Sequence, residues 1–415
     1  MSARKKYTFI DLFAGCGGLS EGFLQTKRFE ALAHVEWDMP MVNTLRNRLV
    51  QKWNHTEEDA QRRVVCFDVQ KTEELINGKW TEETKQVYAS KNANFTIKHG
   101  LKGLCGKKQV DIIIGGPPCQ AYSIAGRAQD PNSMKLDYRN YLFESFVKIV
   151  DHFKPKVFVF ENVPGLLSAC PGDTPVTTRI YNAFCSIGYK IRTPQQLKNA
   201  VFCAEDFETP QKRNRVIIVG VREDSELVLE DMYDAIAAQK RKKHITVREA
   251  IGNMPKFRPL DEPMKGNRGN ISHIIAEENP YSLHIPRYHN KRDMDTFRYW
   301  LSNDMNNCSQ KEKLAYYTKV SGKLSNHIKY RNLEWDKPSP TIVAHLHKDG
   351  LMFIHPDIDQ LRSITIREAA CLQSFPLDYE FIGSAPYCYK MIGNAVPVQF
   401  AKHIALAICK VLDKR

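Results

Sequence analysis

Short apolar runs that alternate with helical segments are the feature of this sequence that most constrains its fold. The runs cover residues 7–13, 31–37, 64–69, 110–116, 156–162 and 215–221. Stretches with helical spacing of apolar residues, such as 140–153 and 178–187, separate several of them. Strands that alternate with helices favour a parallel sheet covered by helices on both faces. We therefore predict an α/β fold with a doubly wound, mostly parallel, Rossmann-like sheet. The last run fits either a parallel or an antiparallel strand.

The alternation of strands and helices is interrupted twice along the chain of 415 residues. Residues 70–109 are polar and rich in lysine and glutamate, which predicts an inserted helix or loop at the surface, with no role that the sequence reveals. From residue 246 the pattern fades again, and helical spacing returns towards 398–412. We predict a large domain over 1–245, a smaller irregular domain over 246–336, and a return to the first domain over 337–415.

The charge balance favours a polyanionic partner. The chain has 60 Lys and Arg residues against 47 Asp and Glu residues, a formal net charge of +13. A basic surface binds polyanions such as nucleic acid because binding releases condensed counterions. An ordinary basic soluble protein has the same balance. The basic run 239–244 is more typical of a solvated linker, with phosphate contact as the alternative.

Cysteine usage and the absence of long apolar segments bear on compartment and metal content. The 11 cysteines are scattered singly, without a CxxC pair or a His/Cys cluster at zinc spacing. This pattern indicates reduced thiols in a cytosolic protein and predicts no metal site. The N-terminus lacks the apolar core of a signal peptide, and no apolar run is expected to approach membrane-spanning length. We expect a soluble, cytoplasmic protein.

A glycine-rich loop follows the first predicted strand. Gly15, Gly17 and Gly18 separate that strand from residues 19–24, which can open a helix. Glycines let a ligand approach the backbone closely, and a helix N-terminus favours negative charge such as a carboxylate. The spacing departs from the GxGxxG dinucleotide fingerprint, because Ser20 occupies its last glycine position. The loop indicates a ligand site only weakly by itself.

Side chains at the ends of the second and third predicted strands narrow the choice of ligand. Glu36 lies where an acidic residue can bind ribose hydroxyls, and Trp37 offers a face on which adenine can stack. Asp68 can accept a hydrogen bond from an exocyclic amine. Ribose, adenine and a carboxylate without pyrophosphate fit S-adenosylmethionine better than NAD. Each residue taken alone is equally consistent with a structural role.

A cysteine on a proline turn marks the opposite part of the same sheet edge. Pro117, Pro118, Cys119 and Gln120 come directly after the apolar run that ends at Gly116. Ligands of open α/β sheets bind beyond the carboxyl ends of the strands, so the thiol is placed where a substrate can reach it. The alternative is a proline turn that carries an incidental cysteine.

An acidic and a basic group follow further along the chain. Glu161 ends the strand that begins near residue 156, and would lie beside the cysteine turn if the two strands are neighbours. Strand alternation sends Arg213 and Arg215 to one face, where two guanidinium groups can hold a phosphate and a carbonyl oxygen. The structural alternative for Glu161 is a bonding partner of a helix or turn. The alternative for Arg213 and Arg215 is a solvated basic turn.

The order of these segments resembles that of the DNA (cytosine-5) methyltransferases, outside 69–109 and 246–335. The segments are FAGCGG (13–18), GPPCQAYS (116–123), ENV (161–163), QKRNR (211–215), TIREAACLQSFP (365–376) and GNAVP (393–397). The resemblance implies that Cys119 adds to carbon 6 of cytosine, that Glu161 takes up charge at ring nitrogen 3, and that Arg215 holds the carbonyl oxygen with Arg213 nearby. It also implies that the base is flipped out of the duplex, under a loop formed by 120–140.

The resemblance implies further residues and partners. The S-adenosylmethionine pocket would be lined by Phe13, Glu36, Trp37, Asp68, Pro118, Leu142, Asn394 and Val396, together with the loop glycines Gly15 and Gly17. Residues 246–336 would be the target-recognition domain for double-stranded DNA. The expected protein is a monomer of the bacterial cytosol or nucleoid, of bacterial or phage origin. It is either the modification partner of a restriction endonuclease, which would be a functional and not a physical partner, or a solitary methylase, and the sequence does not choose between the two.

Two other functions fit the same fold. The first is methylation of transfer RNA, whose related enzymes carry a Cys-Phe-Thr motif that residues 246–335 lack. The second is a regulator without catalytic activity, which predicts damage to the reacting residues. Cys119, Glu161, Arg213 and Arg215 are all intact. The sequence therefore favours a sequence-specific DNA methyltransferase.

Overall fold

The chain forms two compact units. The computed structural model describes residues 5–118, 142–171, 173–266 and 269–414. The first unit comprises Met1–Phe207, Arg213–Lys242 and Ala395–Arg415, and the second comprises Glu208–Lys212 and Lys243–Asn394. By packing, residues 337–394 therefore belong with the second unit. The functional division at residues 246 and 336 stays a prediction.

The first unit is built on a single sheet. Within the described part of the chain its strands are β1 (Tyr7–Leu12), β2 (Phe29–Glu36), β3 (Val64–Cys66), β4 (Ile112–Gly115), β5 (Val157–Asn162), β6 (Tyr189–Lys190), β7 (Val201–Cys203) and β8 (Asn214–Arg222). The second unit contains β9 (Phe257–Gly266) and β10 (Gly269–Ile275), which pair antiparallel. Each run predicted as a strand of the main sheet is found there, with ends that differ by a few residues.

The order of the strands confirms the doubly wound, mostly parallel sheet. The order is β3-β2-β1-β4-β5-β8-β6, with β7 also paired to β8. The first five strands of this order are parallel, and β8 is antiparallel to β5. The run whose direction the sequence left open is thus the antiparallel addition. In the parallel part, the carboxyl ends of β1, β2, β3, β4 and β5 meet at one edge.

Helices cover the sheet of the first unit and complete the second. In the described residues they are α1 (Gly18–Gln25), α2 (Met39–Trp53), α3 (Glu57–Arg63), α4 (Thr72–Asn77), α5 (Glu82–Tyr88), α6 (Asn94–Cys105), α7 (Leu142–Phe153), α8 (Val176–Ser186), α9 (Leu229–Ala237), α10 (Val247–Ile251), α11 (Lys291–Ser302), α12 (Gln310–Ser321), α13 (Ile366–Leu372), α14 (Ala385–Asn394) and α15 (Val398–Leu412). Residues 70–109, predicted as one inserted helix or loop, contain α4, α5 and α6. The region predicted to be irregular contains the twelve-residue helices α11 and α12.

The core of the first unit forms between the sheet and its helices. The central strands β4 and β5 are fully buried, as continuous apolar runs in parallel sheets are. The C-terminal helix α15 buries most of its length in this core, and a side chain at Gly22 of α1 would meet Ala401 at 2.5 Å. Close packing of α1 on α15 fixes the helix that begins at the glycine loop.

The second unit has a small aromatic core and a buried polar network. Met294, Phe297, Trp300, Tyr330 and Ile354 are among the residues that pack in the core. In the network, Arg362 donates to both carboxylate oxygens of Glu368 at 2.7 Å. Thr365 caps α13 and forms a capping box with Glu368. The TIREAA segment therefore forms the buried N-terminus of α13 in the second unit.

One helical stretch meets the length and composition expected of a membrane span. Ala385–Leu412 does so among the described residues, and 67% of its most apolar window is buried. It consists of α14 and α15, with Pro397 immediately before α15. The expectation that no apolar run approaches such a length was therefore wrong. The burial is typical of core helices in soluble proteins.

Candidate active site

The glycine loop after β1 has a backbone shaped for close approach. Phe13 and Gly15 adopt left-handed conformations with φ of 58° and 57°. A side chain added at Gly15 would find no atom of the described residues within 4 Å, so open space lies in front of the loop. Gly17 then caps α1 without a side-chain bond. The loop leaves room for a ligand beside a helix N-terminus.

Glu36 ties this loop to the end of β2. Its Oε2 accepts from the Gly15 amide at 2.8 Å, and its Oε1 accepts from the amides of Trp37 and Asp38 at 2.9 and 3.0 Å. The side chain is 7% exposed, and burial raises its pKa while the three amide donors oppose the rise. Carboxylate oxygens have lone pairs beyond these bonds, so Glu36 can also accept from ribose hydroxyls.

Trp37 and Asp68 extend the same edge. Trp37 is 59% exposed, which is unusual for a tryptophan and leaves its ring available for stacking. Asp68 follows β3 by two residues, and its Oδ1 accepts from the Gln70 amide at 3.0 Å. The Phe67 amide donates to the Glu36 carbonyl at 3.0 Å, which joins the ends of β2 and β3. The three strand-end residues predicted for the cofactor thus share one edge of the sheet.

The proline turn after β4 is held by the next strand. Asn162 at the end of β5 donates from Nδ2 to the Pro117 carbonyl at 3.3 Å. Pro118 is half-buried. Cys119 and the predicted loop 120–140 lie outside the described residues. The chain direction at Pro118 is therefore fixed by β4, β5 and one buried amide side chain.

Glu161 and Arg215 form the charged pair next to this turn. The Arg215 Nε lies 2.6 Å from Glu161 Oε1, and both side chains are 12% exposed. The antiparallel register places Glu161 opposite Ile217 and Asn162 opposite Val216, so Arg215 comes just beyond the end of β5. A side chain at Gly116 would come within 2.6 Å of Glu161 Oε2. The carboxylate therefore lies directly over the backbone that leads into the proline turn.

Arg213 occupies a different environment from Arg215. It precedes β8, is 2% exposed, and its carbonyl accepts from the Ala204 amide at 2.9 Å. Arg215 is the second residue of β8 and lies opposite Phe202 of β7. The two arginines thus differ in burial, although the sequence predicts both near the reacting group.

The remaining predicted cofactor residues are spread over both units. Leu142 begins α7 and Val396 precedes α15, and both are buried in the first unit. Asn394 ends α14 in the second unit and is exposed. Their part in a cofactor pocket stays a prediction.

Two further residues, one in each unit, have structural roles that the sequence-based predictions did not include. Asn162 belongs to the ENV segment, but its bond to Pro117 forms because β4 and β5 are neighbours in the sheet. Gln211 opens the QKRNR segment and is fully buried in the second unit. There it donates to the Leu372 carbonyl at 3.1 Å and accepts from the Ile342 amide at 2.9 Å. The sequence signal for Gln211 was its position close to two arginines. Its hydrogen-bonding partners lie more than a hundred residues away, as the separations of 161 and 131 show, so the sequence did not reveal them.

Comparisons with known proteins agree on one family. The family model described as C-5 cytosine-specific DNA methylase matches residues 7–78 and 64–410. Type II methyltransferase M.Bpa9945I of Bacillus paralicheniformis is 32% identical, over 97% of this chain and 99% of its own. Type II methyltransferase M.PspPI of a Psychrobacter species is 30% identical, over 99% of this chain and 80% of its own.

A solved structure has the same fold. It is a prophage-encoded Escherichia coli protein, described as a DNA modification methyltransferase. It is 23% identical to this chain, with a TM-score of 0.60 over 98% of this chain and 100% of that one.

Proposed function

The chain belongs to the C-5 cytosine-specific DNA methylase family and is a DNA (cytosine-5) methyltransferase, and from this premise we propose which residues carry the reaction. Cys119 is the nucleophile, Glu161 handles the proton at ring nitrogen 3, and Arg215 holds the carbonyl oxygen of the base. The observation that carries the proposal is the 2.6 Å pair of Glu161 and Arg215, next to the backbone that leads to Cys119.

The chemistry explains why these groups are needed together. The Cys119 thiolate forms a bond to carbon 6, and the electron pair of the 5,6 double bond makes carbon 5 nucleophilic. Charge builds up at nitrogen 3 and at the carbonyl oxygen as the thiolate adds. A proton shared with Glu161 and a hydrogen bond from Arg215 stabilise that charge. Once carbon 5 carries the methyl group, loss of its proton and cleavage of the carbon–sulfur bond restore the aromatic ring and free Cys119.

The methyl donor of the family is S-adenosylmethionine, and the strand ends of the first unit suit it. When bound, it supplies the electrophilic methyl group that carbon 5 takes up. We assign its ribose to Glu36, its adenine to Trp37 and Asp68, and its methionine part to the loop at Phe13, Gly15 and Gly17. The open space in front of Gly15 supports this assignment. Pro118, Leu142, Asn394 and Val396 are assigned to the same pocket from the family resemblance.

Trapping of the covalent intermediate tests the assignment of Cys119. In DNA with 5-fluorocytosine at the target site, the last step requires loss of fluorine as a cation, so the enzyme stays attached to the base. We expect a stable protein–DNA adduct with the wild type and none with Cys119→Ala, which should still bind the cofactor. The exposed Cys170 provides the matched control, because Cys170→Ala should form the adduct normally. An adduct with Cys119→Ala would refute the assignment.

We further propose that residues 246–336 bind and read the target DNA. Basic side chains are exposed along and around α11 and α12, namely Lys291, Arg292, Arg298, Lys311, Lys319, Lys323 and Lys329. Within the described part of the chain, no residue of α12 is buried. Tyr299 and Tyr316 stack at 4.2 Å between these helices. A basic surface of this kind suits the DNA phosphates, and side chains that reach the major groove would read the bases.

The wider assignments follow from the relatives. We propose that the enzyme acts in the bacterial cytosol as the modification partner of a restriction endonuclease, as the printed names of its relatives suggest. The partnership is functional and needs no physical contact. We also propose that it acts as a monomer and that the reaction uses no metal ion.

A further inference from the structure

The segment between β3 and β4 is bonded to the backbone of β3 through the side chain of Asn92. Asn92 accepts from the Cys66 amide at 2.8 Å and donates to the Cys66 carbonyl at 2.9 Å. Its Nδ2 also donates to the Tyr88 carbonyl at 2.9 Å. Because β3 is the last strand in the order of the main sheet, these bonds satisfy backbone groups at its open edge. These bonds fix the position of the segment relative to the end of β3.

Aromatic packing fixes the same segment against the residue after β3. Phe67 contacts the rings of Trp80 and Tyr88, with centroids 4.5 and 5.0 Å away. The Trp80 indole donates to the Glu74 carbonyl at 3.0 Å, and Thr84 donates to the Glu74 carboxylate at 2.6 Å. The start of α5 is thus bonded to α4, and its end carries Tyr88 onto Phe67.

The point of attachment is continuous with the cofactor residues. Phe67 lies between Cys66 and Asp68 in sequence, and the Cys66 thiol donates to the Trp37 carbonyl at 3.5 Å. Tyr88 is half-buried. Burial raises its pKa, with the charge of Asp68 as the next cause, which indicates that the phenol lies near that carboxylate. An aromatic ring with a hydroxyl therefore packs on Phe67, which precedes in sequence the residue assigned to adenine.

We propose that Tyr88 is a further contact of the adenosine moiety of S-adenosylmethionine and that Asn92 positions it. This inference rests on the proposed cofactor site and gives the 70–109 segment a role in binding. The Tyr88 ring packs on Phe67 and thereby adds an aromatic side chain with a hydroxyl at the end of β3, where Asp68 follows. The alternative is a segment that only stabilises β3, which predicts a loss of stability without a loss of affinity.

Equilibrium binding separates the two roles. The full chain is titrated with S-adenosylmethionine and, in parallel, with adenosine by isothermal calorimetry, and folding is checked by thermal melting. Tyr88→Ala should raise the dissociation constant for both ligands about 10-fold, the size expected for loss of one stacking contact. Tyr88→Leu keeps an apolar contact with Phe67 and should weaken binding to a similar extent. Val87→Ala, at an exposed neighbour on the same helix, should bind like the wild type.

The outcomes distinguish this inference from the function on which it rests. Wild-type affinity in folded Tyr88→Leu or Tyr88→Ala would overturn the role of Tyr88 and leave the cofactor site intact. Failure of the wild type itself to bind S-adenosylmethionine would overturn the cofactor site and the inference with it. Asn92→Ala should weaken binding with Tyr88 still in the sequence, and unchanged affinity in that variant would refute the positioning role.

Discussion

Glu161 and Arg215 are joined across antiparallel strands, with 2.6 Å between Oε1 and Nε. Both side chains are mostly shielded from water, so their interaction is screened less than that of a surface pair. A cytosine ring held by these groups would meet a carboxylate at one edge and a guanidinium at the next. The pair is therefore pre-arranged before the base arrives, which lowers the reorganisation needed during the reaction.

Glu161→Gln should lower methyl transfer by at least about 100-fold, the usual range for removal of a general acid or base. Glutamine keeps the shape and can still bond to Arg215, but it cannot share a proton with nitrogen 3. Cofactor affinity and thermal melting should stay at wild-type values. Initial rates with labelled S-adenosylmethionine at saturating DNA give the comparison, and a rate close to the wild type would contradict the role of Glu161.

Gly116→Ala should also impair catalysis, although alanine is chemically inert. The new Cβ would lie 2.6 Å from Glu161 Oε2, so the carboxylate must move away from its position beside Arg215. Displacement by about 1 Å commonly costs on the order of 100-fold in rate. The expected result is a loss in kcat with unchanged cofactor binding. Unchanged kcat would show that the position of the carboxylate is not critical.

Exchange of residues 246–336 for the corresponding region of a relative with another target should change the methylated sequence. The chemistry should remain, since Cys119, Glu161 and Arg215 lie outside the exchanged region. Bisulfite sequencing of plasmid DNA from cells that express the chimera reports the site. Retention of the original target by an active chimera would mean that the sequence is read elsewhere.

Replacement of Lys311 and Lys319 by glutamine should weaken DNA binding and its dependence on salt. Each lysine that contacts a phosphate contributes about one unit to the slope of log K against log salt, so the slope should fall by about two. The double replacement by arginine keeps the charge and should restore the slope. A slope unaffected by the glutamine pair would remove α12 from the DNA-binding surface.

The second unit should lose stability in mild acid. Burial, with further repulsion from His289, lowers the pKa of His273 to about 4, and burial together with Arg362 lowers that of His355 to about 3. Unfolded histidines titrate at about 6.5, so the unfolded state binds more protons below that pH and gains stability as the pH falls.

Each such histidine can cost up to about 1.4 kcal/mol per pH unit between its two pKa values. Melting temperatures should therefore fall steadily from pH 6.5 to pH 5. His273→Asn should make the decline shallower. Melting temperatures that stay constant over this interval would show that these histidines are not buried in neutral form.

The main sheet was predictable because buried parallel strands are continuous apolar runs with distinctive ends. The direction of β8 was not, since a buried strand has the same pattern in either direction. The helix α12 was missed because it buries no residue within the described chain, so it lacks the apolar spacing that identifies a helix.

The candidate site was also only partly predictable from the sequence. Glu36, Asp68 and Glu161 were recognisable as acidic residues at strand ends. The contact of Glu161 with Arg215 depends on an antiparallel register that the sequence does not contain. The bond of Asn92 to Cys66 likewise joins segments with no local signal, and it was missed for that reason.

Methyl transfer from labelled S-adenosylmethionine to unmethylated plasmid DNA, with transfer RNA in parallel, tests the central claim most directly. Label in DNA, with protected cytosines confined to one short motif by bisulfite sequencing, is the predicted result. Label in transfer RNA alone, or in neither substrate, would contradict it.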